Sequence, residues 1–317
     1  MAQNYTFDEI RAKVIANGSK ASKIDWLRNE AGFNATDAEN TYRIIMLTTP
    51  RPAATRRERR QARENLIRFT MGLELECINV NRYEVRRLCN ERGITTRDDY
   101  NHYNHDDSRD TYKLMSDSSL HGGARDAYLP CEIVTPVLND LSGVKTVCEV
   151  LNEAGAKVNV SCGLHVHFGA SNFTDEQWFR IVCNYARIEG IIDSFMPESR
   201  RGDNSQWCRT IKGHGANLER KKGLGYNITR RDCQYELDSR YHKVNLEAFA
   251  RHKTIEFRQH TGTINYTKIE NWVNFLASFL TYSIRHEELI EANSIDTLPF
   301  LTDRQKAYFK NRANTLA

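Results

Sequence analysis

The sequence predicts an α+β fold with a largely antiparallel sheet and flanking helices, preceded by a small helical region. Several segments between residues 67 and 260 alternate polar and apolar side chains, a period typical of strands with one buried face. Other segments repeat apolar residues every three or four positions, as helices that pack on a sheet do. Strands that are grouped along the chain, with helices between them, favour this fold class.

Length and composition are those of an ordinary globular protein, with 317 residues of which 40% are hydrophobic and 27% are charged. This length is enough for one large domain or two smaller ones. No apolar run approaches the roughly 18 residues that a membrane-spanning helix needs, and the N-terminus has acidic residues where a signal peptide would have an apolar core. We therefore expect a cytoplasmic protein that does not contact membranes.

The cysteines and the net charge exclude several kinds of site. No two of the 8 cysteines form a C-x-x-C pair, and most lie in apolar patterns, so we expect reduced core thiols rather than a zinc ribbon or a disulfide framework. A net charge of +4 suits an anionic ligand but does not by itself indicate nucleic acid. The charge is uneven, because residues 51–63 hold six arginines and one glutamate.

The first 50 residues predict small helices. Thr6–Glu9 and Thr36–Glu39 both fit the capping box, in which Ser or Thr opens a helix and Glu follows three positions later. Pro50 and Pro52 then end the pattern. An arginine run is typical of a solvated helix, although beside a helix-turn-helix-like N-terminus it is also compatible with binding to nucleic acid or a partner. We divide the chain into a helical region over residues 1–50, an arginine-rich linker or helix over 51–66 and a catalytic domain over 67–317.

The predicted catalytic domain contains both strands and helices. Capping boxes at Thr174–Gln177 and Thr267–Glu270 indicate helix starts, and Gly155 ends an earlier helix. Residues 199–233 are rich in glycine, arginine and asparagine and predict a long functional loop. The predicted strands span residues 67–78, 111–115, 129–135, 159–170, 240–249 and 253–260, and the predicted helices begin near residues 142, 174 and 267, the last of these being the final long helix.

Charged residues share the polar face of three predicted strands. A spacing of two places each set on one side of its strand. If the strands are neighbours, the faces merge into one cluster of carboxylates, imidazoles and a guanidinium. Each set alone is typical of a solvated strand face, but three such sets in one domain favour a functional site. The sets are Glu74 with Glu76, His165 with His167, and Thr254 with Glu256, Arg258 and His260.

The composition of this cluster predicts a metal ion and a phosphorylated ligand. Clustered carboxylates raise one another's pKa unless a cation lies among them. Oxygen ligands with few thiolates suit hard ions such as Mg²⁺ or Mn²⁺. An arginine beside such ions is typical of a phosphorylated ligand, because the guanidinium fork matches phosphate oxygens. The pattern therefore favours ATP chemistry, and the lack of a Walker A motif in the sequence excludes a P-loop protein.

Four motifs, in this order, resemble those of the amidoligase family, which are carboxylate–amine ligases related to glutamine synthetase and glutamate–cysteine ligase. The resemblance covers roughly residues 67–285 and leaves residues 1–65 outside. The family often has Asp-Gly-Ser where this chain has Asp117-Ser118-Ser119. The motifs are Gly72-Leu73-Glu74-Leu75-Glu76, Asp117 to Leu120 with Glu132 to Pro136, Gly163 to Phe168, and Thr254 to Thr263.

The resemblance implies a glutamine synthetase-like catalytic domain that uses ATP and Mg²⁺ or Mn²⁺ and forms an amide through an acyl phosphate. It implies that His167 contacts an ATP phosphate and that Arg258 stabilises the transferring phosphoryl group. Arg200 or Arg201 resembles the loop arginine that holds phosphate or a substrate carboxylate. The metal ligands that the resemblance implies are Glu74, Glu76, Glu132, His165 and Glu256.

Some residues and rival functions remain open at this point. Asp117 is a candidate for substrate contact. Tyr241 and Asn245 share one predicted strand face and are also candidates, although the pattern is equally compatible with a structural role for these two residues.

Two other functions remain open. Paired histidines with carboxylates also build metal-dependent hydrolases, although Arg258 argues against a hydrolase. The third interpretation is a non-catalytic binding protein on a ligase scaffold. As substrates we expect an acid and an amine, small or macromolecular, and the chain is compatible with an oligomer.

Overall fold

The computed structural model describes residues 6–16, 20–48, 69–99, 110–122 and 128–316. The chain divides into two compact units, Met1–Asn65 and Leu66–Ala317. The linker or helix assigned to residues 51–66 lies outside the described residues. Within the described ranges, no helix is long and apolar enough to cross a membrane.

Three helices with a small core of their own form the described part of the first unit. Their buried side chains recur at helical spacing and meet between the helices, which explains how so short a segment packs. The helices are α1 (Phe7–Ala16), α2 (Lys20–Asn29) and α3 (Ala35–Thr48). The buried core residues are Ile10, Val14, Leu27, Ala38 and Ile45.

One of the two predicted capping boxes in this unit is confirmed. The Thr6 N–H donates to Glu9 Oε2 at 2.8 Å, and the Glu9 N–H donates to Thr6 Oγ1 at 3.4 Å. The box predicted at Thr36–Glu39 is wrong, because the Asp37 N–H donates to Asn34 Oδ1 at 2.9 Å and α3 has already begun at Ala35. Asparagine caps helices about as well as threonine does, so the pattern alone did not separate the two starts.

The second unit is built on one sheet of seven strands, in the order β2-β3-β4-β1-β5-β7-β6. Neighbouring strands are antiparallel except β2 and β3, which are parallel. With its helices, this sheet confirms the predicted α+β class. The strands are β1 (Met71–Asn81), β2 (Thr96–Asp98), β3 (Tyr112–Met115), β4 (Tyr128–Val134), β5 (Gly163–Gly169), β6 (Val244–Asn245) and β7 (Thr254–Thr261).

Helices cover the apolar face of the sheet. The Tyr185 ring of α6 lies 5.4 Å from the Phe257 ring of β7, and the Phe279 ring of α10 lies 6.2 Å from it. The period-two pattern directs the polar residues of the same strands to the opposite face. The helices are α4 (Arg82–Glu91), α5 (Ser142–Glu153), α6 (Asp175–Ser194), α7 (Lys212–Gly223), α8 (Arg230–Leu237), α9 (Ala248–His252), α10 (Tyr266–Arg285) and α11 (Asp303–Leu316), with short 3-10 turns at Glu198–Arg200 and Ile295–Thr297.

The long loop predicted over residues 199–233 is wrong, because it contains α7 and the first half of α8. Its glycines suggested a loop, but Gly215 lies inside α7 against α6. A Cβ at Gly215 would lie only 2.3 Å from the Ala186 Cβ, so glycine allows the two helices to approach closely. Glycine composition therefore indicated close packing here rather than irregular backbone.

Two further predictions near the C-terminal end of the second unit are wrong. The strand predicted over residues 240–249 shortens to Val244–Asn245 and is followed by α9. The helix predicted to open at Thr267 begins at Tyr266, where Asn265 Oδ1 accepts the Lys268 N–H at 3.1 Å. That helix is also not the last, since α11 follows it.

A β-bulge between β5 and β7 sets the direction of the β7 side chains. Leu164 pairs with His260 and Val166 pairs with Phe257, so two residues of β7 oppose His165 alone. The extra residue turns His260 into the core, where its ring lies 5.5 Å from the Trp272 ring. The prediction that His260 shares the polar face of Glu256 is therefore wrong.

Candidate active site

The register of four neighbouring strands brings the predicted polar faces together. Glu74 of β1 pairs with His165 of β5, and His167 of β5 pairs with Glu256 of β7. On the other side of β1, Glu76 pairs with Glu132 of β4. These strands are therefore neighbours, as the predicted cluster of charged side chains requires.

His165 lies at the centre of the cluster and is buried. Its Nδ1 atom lies 2.8 Å from Glu74 Oε2 and 3.6 Å from Glu256 Oε1, and its Nε2 atom lies 3.5 Å from Glu76 Oε1. Two groups of possible metal ligands share this imidazole: Glu74, His165 and Glu256 form one, and Glu76, Glu132 and His165 form the other. Within each group, one ligand atom per residue lies within 4.8 Å of the others.

His167 lies one pleat further along β5, at the edge of the first group. Its Nδ1 atom is 3.0 Å from Thr254 Oγ1, which fixes the orientation of the ring. Its Nε2 atom is 3.3 Å from Glu74 Oε1 and 3.9 Å from Glu256 Oε1, without hydrogen-bond geometry to a described residue. The imidazole therefore presents a buried, polar nitrogen to the space beside the carboxylates.

Glu256 is held from both sides. Arg258 Nη1 donates to Glu256 Oε1 at 2.6 Å, and Asn245 Nδ2 of β6 donates to Glu256 Oε2 at 2.5 Å. Arg258 Nε also donates to the Trp207 carbonyl at 3.4 Å. These contacts place a guanidinium at the margin of the carboxylate cluster and limit the rotamers of Glu256.

Burial and charge together set the pKa values of the glutamates. Burial raises the pKa of Glu132, and the charges of Glu74, Glu76 and Asp117 raise it further, well above its usual range. Burial also acts on Glu74, but the nearby imidazoles outweigh it and hold the Glu74 pKa well below its usual range. Glu132 therefore lies among more negative charge than the nearby cationic side chains neutralise.

The pKa values of Glu256 and His167 shift in the direction that favours the charged form of each side chain. Burial raises the pKa of Glu256, but the charges of Arg258 and then of His167 outweigh it and lower the pKa. Burial lowers the pKa of His167, but Glu256 and Glu74 outweigh it and raise the pKa. Opposite charges in a buried place favour one another's ionised state in this way.

Gly163 closes the cluster at the start of β5. Its N–H donates to Glu76 Oε2 at 2.5 Å. A Cβ at this position would lie 2.8 Å from His165 Nε2 and 3.3 Å from Glu76 Oε2, so a side chain would enter the ligand group. Sequence reasoning placed Gly163 in a motif without giving it a role; its position two residues before His165, on the same strand face, was the available signal.

The two predicted loop arginines contact backbone rather than the carboxylates. Arg200 is buried, and its Nη2 donates to the Cys162 carbonyl at 2.6 Å, next to Gly163. Arg201 Nε donates to the Met196 carbonyl at 2.7 Å, and its Nη2 donates to the Leu316 carbonyl at 3.3 Å. Arg200 thus supports the strand that carries the histidines, while Arg201 connects to the end of α11.

The predicted substrate residues are placed at different distances from the cluster. Asn245 contacts Glu256 directly, as described above. Asp117 lies in a turn, where its Oδ1 accepts the Ser119 N–H at 2.6 Å, and its charge acts on Glu132. Tyr241 is not on a strand, and its ring packs edge-on at 5.0 Å against Trp207. Trp207, whose carbonyl accepts from Arg258, was not singled out from the sequence.

A buried set of carboxylates and imidazoles on one sheet face, with an arginine at its edge, is typical of enzymes that bind divalent ions and phosphorylated substrates. The chain matches the family model described as "Putative amidoligase enzyme" over residues 68–280. This match covers more than half of the chain, and the protein belongs to that family. Family membership indicates an amide-forming ligase. No curated protein matches the chain.

Proposed function

We propose that this protein is an ATP- and Mg²⁺-dependent carboxylate–amine ligase that forms an amide through an acyl phosphate. The observation that carries the proposal is the pair of ligand groups that share His165, one with Glu74 and Glu256 and the other with Glu76 and Glu132. Family membership supports the amide-forming class. The arginine beside the first group supports a phosphorylated substrate.

The donor set fits hard divalent ions. Four carboxylates and one imidazole suit Mg²⁺ or Mn²⁺, and all eight cysteines are free and buried, so thiolates do not compete at this face. The raised pKa of Glu132 is what a carboxylate among other carboxylates shows when no cation lies among them. We assign one ion to Glu74, His165 and Glu256 and a second to Glu76 and Glu132, since a neutral imidazole has one free lone pair and His165 therefore holds one ion.

The ions, when bound, would neutralise charge on the transferring phosphoryl group. The other contributions come from the chain itself. Arg258, held by Glu256 and the Trp207 carbonyl, is oriented to contact phosphoryl oxygens at the margin of the cluster. His167, oriented by Thr254, presents its Nε2 atom to the same space and would contact an ATP phosphate.

The proposed reaction has two steps and needs no side-chain nucleophile. A carboxylate oxygen of the acid attacks the γ-phosphorus of ATP, the bond to the bridging oxygen breaks, and ADP leaves. The amine nitrogen then attacks the acyl carbon, the carbon–oxygen bond to phosphate breaks, and the nitrogen loses a proton to phosphate or water. The products are an amide, ADP and phosphate.

The test is ADP release from Mg²⁺-ATP in the presence of a pooled set of amino acids, polyamines and small carboxylic acids. We expect ADP release that depends on the pool in the native protein and is lost in Glu256→Gln. Glu287→Gln is the matched control, because Glu287 is an exposed glutamate outside the cluster. Splitting the pool then identifies the acid and the amine.

The same assay distinguishes the ligase from the two alternative functions, a metal-dependent hydrolase and a non-catalytic binding protein. Pool turnover without nucleotide would favour a metal-dependent hydrolase and contradict the proposal. Mg²⁺-dependent ATP binding without ADP release would point to a macromolecular acceptor. If the protein neither binds ATP nor releases ADP, a non-catalytic binding protein on a ligase scaffold is the remaining interpretation.

A further inference from the structure

A cavity of about 540 Å³ lies where β5 begins and β7 ends, and we refer to it as the C-terminal cavity. Part of its wall is α11, which lies outside the family match over residues 68–280. The residues that line it are Val158, Asn159, Val160, Pro197, Ser199, Thr261, Gly262, Lys268, Tyr308, Asn311, Arg312, Thr315 and Leu316. The C-terminal cavity is thus distinct from the carboxylate cluster.

The charge of the C-terminal cavity is positive. Lys268 of α10 and Arg312 of α11 line it, and no carboxylate is among the described residues of its wall. Burial and the neighbouring Arg312 lower the pKa of Lys268. Burial also lowers the pKa of Arg312. Two cations that face one space without a counter-charge favour a bound anion.

Hydrogen-bond donors in this wall are oriented and available. Arg312 Nε donates to the Phe195 carbonyl at 2.8 Å, and the guanidinium also interacts with the Tyr308 side chain. A guanidinium has five N–H groups, so these contacts fix it and leave donors for a ligand. Within the described part of the chain, the side chains of Lys268, Ser199 and Asn311 make no hydrogen bond to protein. An oxyanion could accept from several of these groups at once.

The positive field of the C-terminal cavity also acts on the core beside it. Burial and the charges of Arg312, Arg200 and Lys268 lower the pKa of His260 to about 3. His260 precedes Thr261, which lines the cavity. Arg200, which supports the start of β5, therefore adds to the positive field of Lys268 and Arg312 at His260.

Apolar side chains complete the wall and remain partly exposed. Val158 is 39% exposed, Val160 is 78% exposed and Leu316 is 36% exposed. A free inorganic ion would leave these side chains in water, whereas an anion with a hydrocarbon part would cover them. The combination of cations and apolar side chains therefore selects for an organic anion.

We propose that the C-terminal cavity binds a small organic anion, whose carboxylate or phosphate contacts Lys268 and Arg312 and whose apolar part packs on Val158, Val160 and Leu316. This site goes beyond the ligase reaction and does not depend on it. A ligand there would bridge α10 and α11 to the segment that leads into β5, the strand of His165 and His167.

The test is calorimetric titration of the full chain with hexanoate, hexyl phosphate and, as the neutral match, hexanol. We expect one or both anions to bind and hexanol to bind much more weakly. Lys268→Gln should weaken binding of that anion about tenfold or more, because a charge-assisted hydrogen bond is lost. Binding by only one anion would identify whether the group recognised is a carboxylate or a phosphate.

Two control variants keep the test decisive. Lys145→Gln removes an exposed lysine of α5 that does not line the cavity and should leave binding unchanged. Glu256→Gln should also bind as the native protein does, which separates this proposal from the ligase proposal. The Lys268 side chain makes no hydrogen bond to the described residues, so its replacement should leave the fold intact, whereas Arg312→Gln also removes the contact with Phe195. Hexanol binding as tight as that of the anions, native affinity in Lys268→Gln, or no anion binding at millimolar concentration would overturn the proposal.

Discussion

Lys243 and Glu189 form an ion pair in which both side chains are fully buried, with Lys243 Nζ 2.8 Å from Glu189 Oε1. The same Nζ lies 2.9 Å from Asp193 Oδ1, so one ammonium joins two carboxylates of α6. The Lys243 carbonyl accepts the Arg258 N–H at 2.9 Å. The buried pair therefore fixes α6 to the chain segment that orients Arg258.

We predict that Lys243→Met destabilises the protein by about 3–5 kcal/mol, because it leaves the buried Glu189 carboxylate and the partly buried Asp193 carboxylate without their cation. Urea denaturation followed by circular dichroism measures this change in the free energy of unfolding. Lys145→Met, which removes an exposed lysine, should change stability by less than about 0.5 kcal/mol. A Lys243→Met protein as stable as the native one would show that the pair contributes nothing net.

We predict that Gly163→Ala weakens binding of Mn²⁺ about tenfold while the protein remains folded. The added Cβ would lie 2.8 Å from His165 Nε2, so the imidazole that both ligand groups share must move. Small displacements of ligands and of the groups around them commonly cost about 10- to 100-fold in metal affinity. Calorimetric titration with Mn²⁺ measures the effect.

Gly213→Ala is the matched control for this substitution. Gly213 lies in α7, and an added Cβ there would meet nothing within 4 Å. We expect unchanged Mn²⁺ affinity and slightly higher stability, since alanine favours helix more than glycine does. Equal Mn²⁺ affinities for Gly163→Ala and native protein would remove Gly163 from the site.

The sequence predicted which charged residues lie together in the candidate site because strand periodicity is a local property. Glu74 with Glu76, and His165 with His167, are each two apart, and that spacing alone places each pair on one face. Strand order and register depend on contacts between distant segments, so the pairing of Glu74 with His165 had to come from the structure. The bulge that turns His260 into the core depends on the same long-range pairing.

Some local signals were present in the sequence and were missed. Thr302 and Gln305 form a capping box at the start of α11, with the Thr302 N–H donating to Gln305 Oε1 at 3.0 Å and the Gln305 N–H to Thr302 Oγ1 at 3.3 Å. Glycine composition concealed α7, whose Gly215 is required for contact with Ala186 rather than for a turn. Composition is therefore a weaker guide than capping in this part of the chain.

We predict that Mg²⁺ stabilises the native protein against heat and that a chelator reverses the effect. A ligand at 100 times its dissociation constant that binds only the folded state adds about 2.7 kcal/mol. Part of this gain would come from relief of repulsion at Glu132, whose pKa is raised by burial, Glu74 and Glu76. Differential scanning calorimetry with Mg²⁺ and with EDTA measures the shift in Tm.

Substitutions at Glu76 and Glu132 make this prediction specific. The double variant Glu76→Gln with Glu132→Gln keeps the shape of both side chains but removes two of the proposed ligand charges. We expect it to lose part of the Mg²⁺-dependent shift, because the group of Glu74, His165 and Glu256 remains, while Glu287→Gln keeps the shift in full. A shift of the same size in the double variant would place the ion elsewhere.

We predict that Arg258→Lys lowers the rate of phosphoryl transfer about 10²- to 10³-fold, the range seen when one donor to a transition-state charge is removed. Arg258 donates through Nη1 to Glu256 and through Nε to the Trp207 carbonyl, which leaves the guanidinium fixed and its remaining N–H groups free to point at phosphate. Lysine keeps the charge but has one nitrogen on a flexible stem, so it cannot hold both contacts and still present a planar fork. Nucleotide affinity should change much less than the rate, because the lost contact strengthens in the transition state.

Single-turnover ADP formation measures the rate, and equilibrium ATP binding measures the affinity. The control is Arg87→Lys, which replaces an exposed arginine of α4. Equal losses in affinity and in rate would instead make Arg258 a ground-state contact for ATP, with no special part in the transfer step.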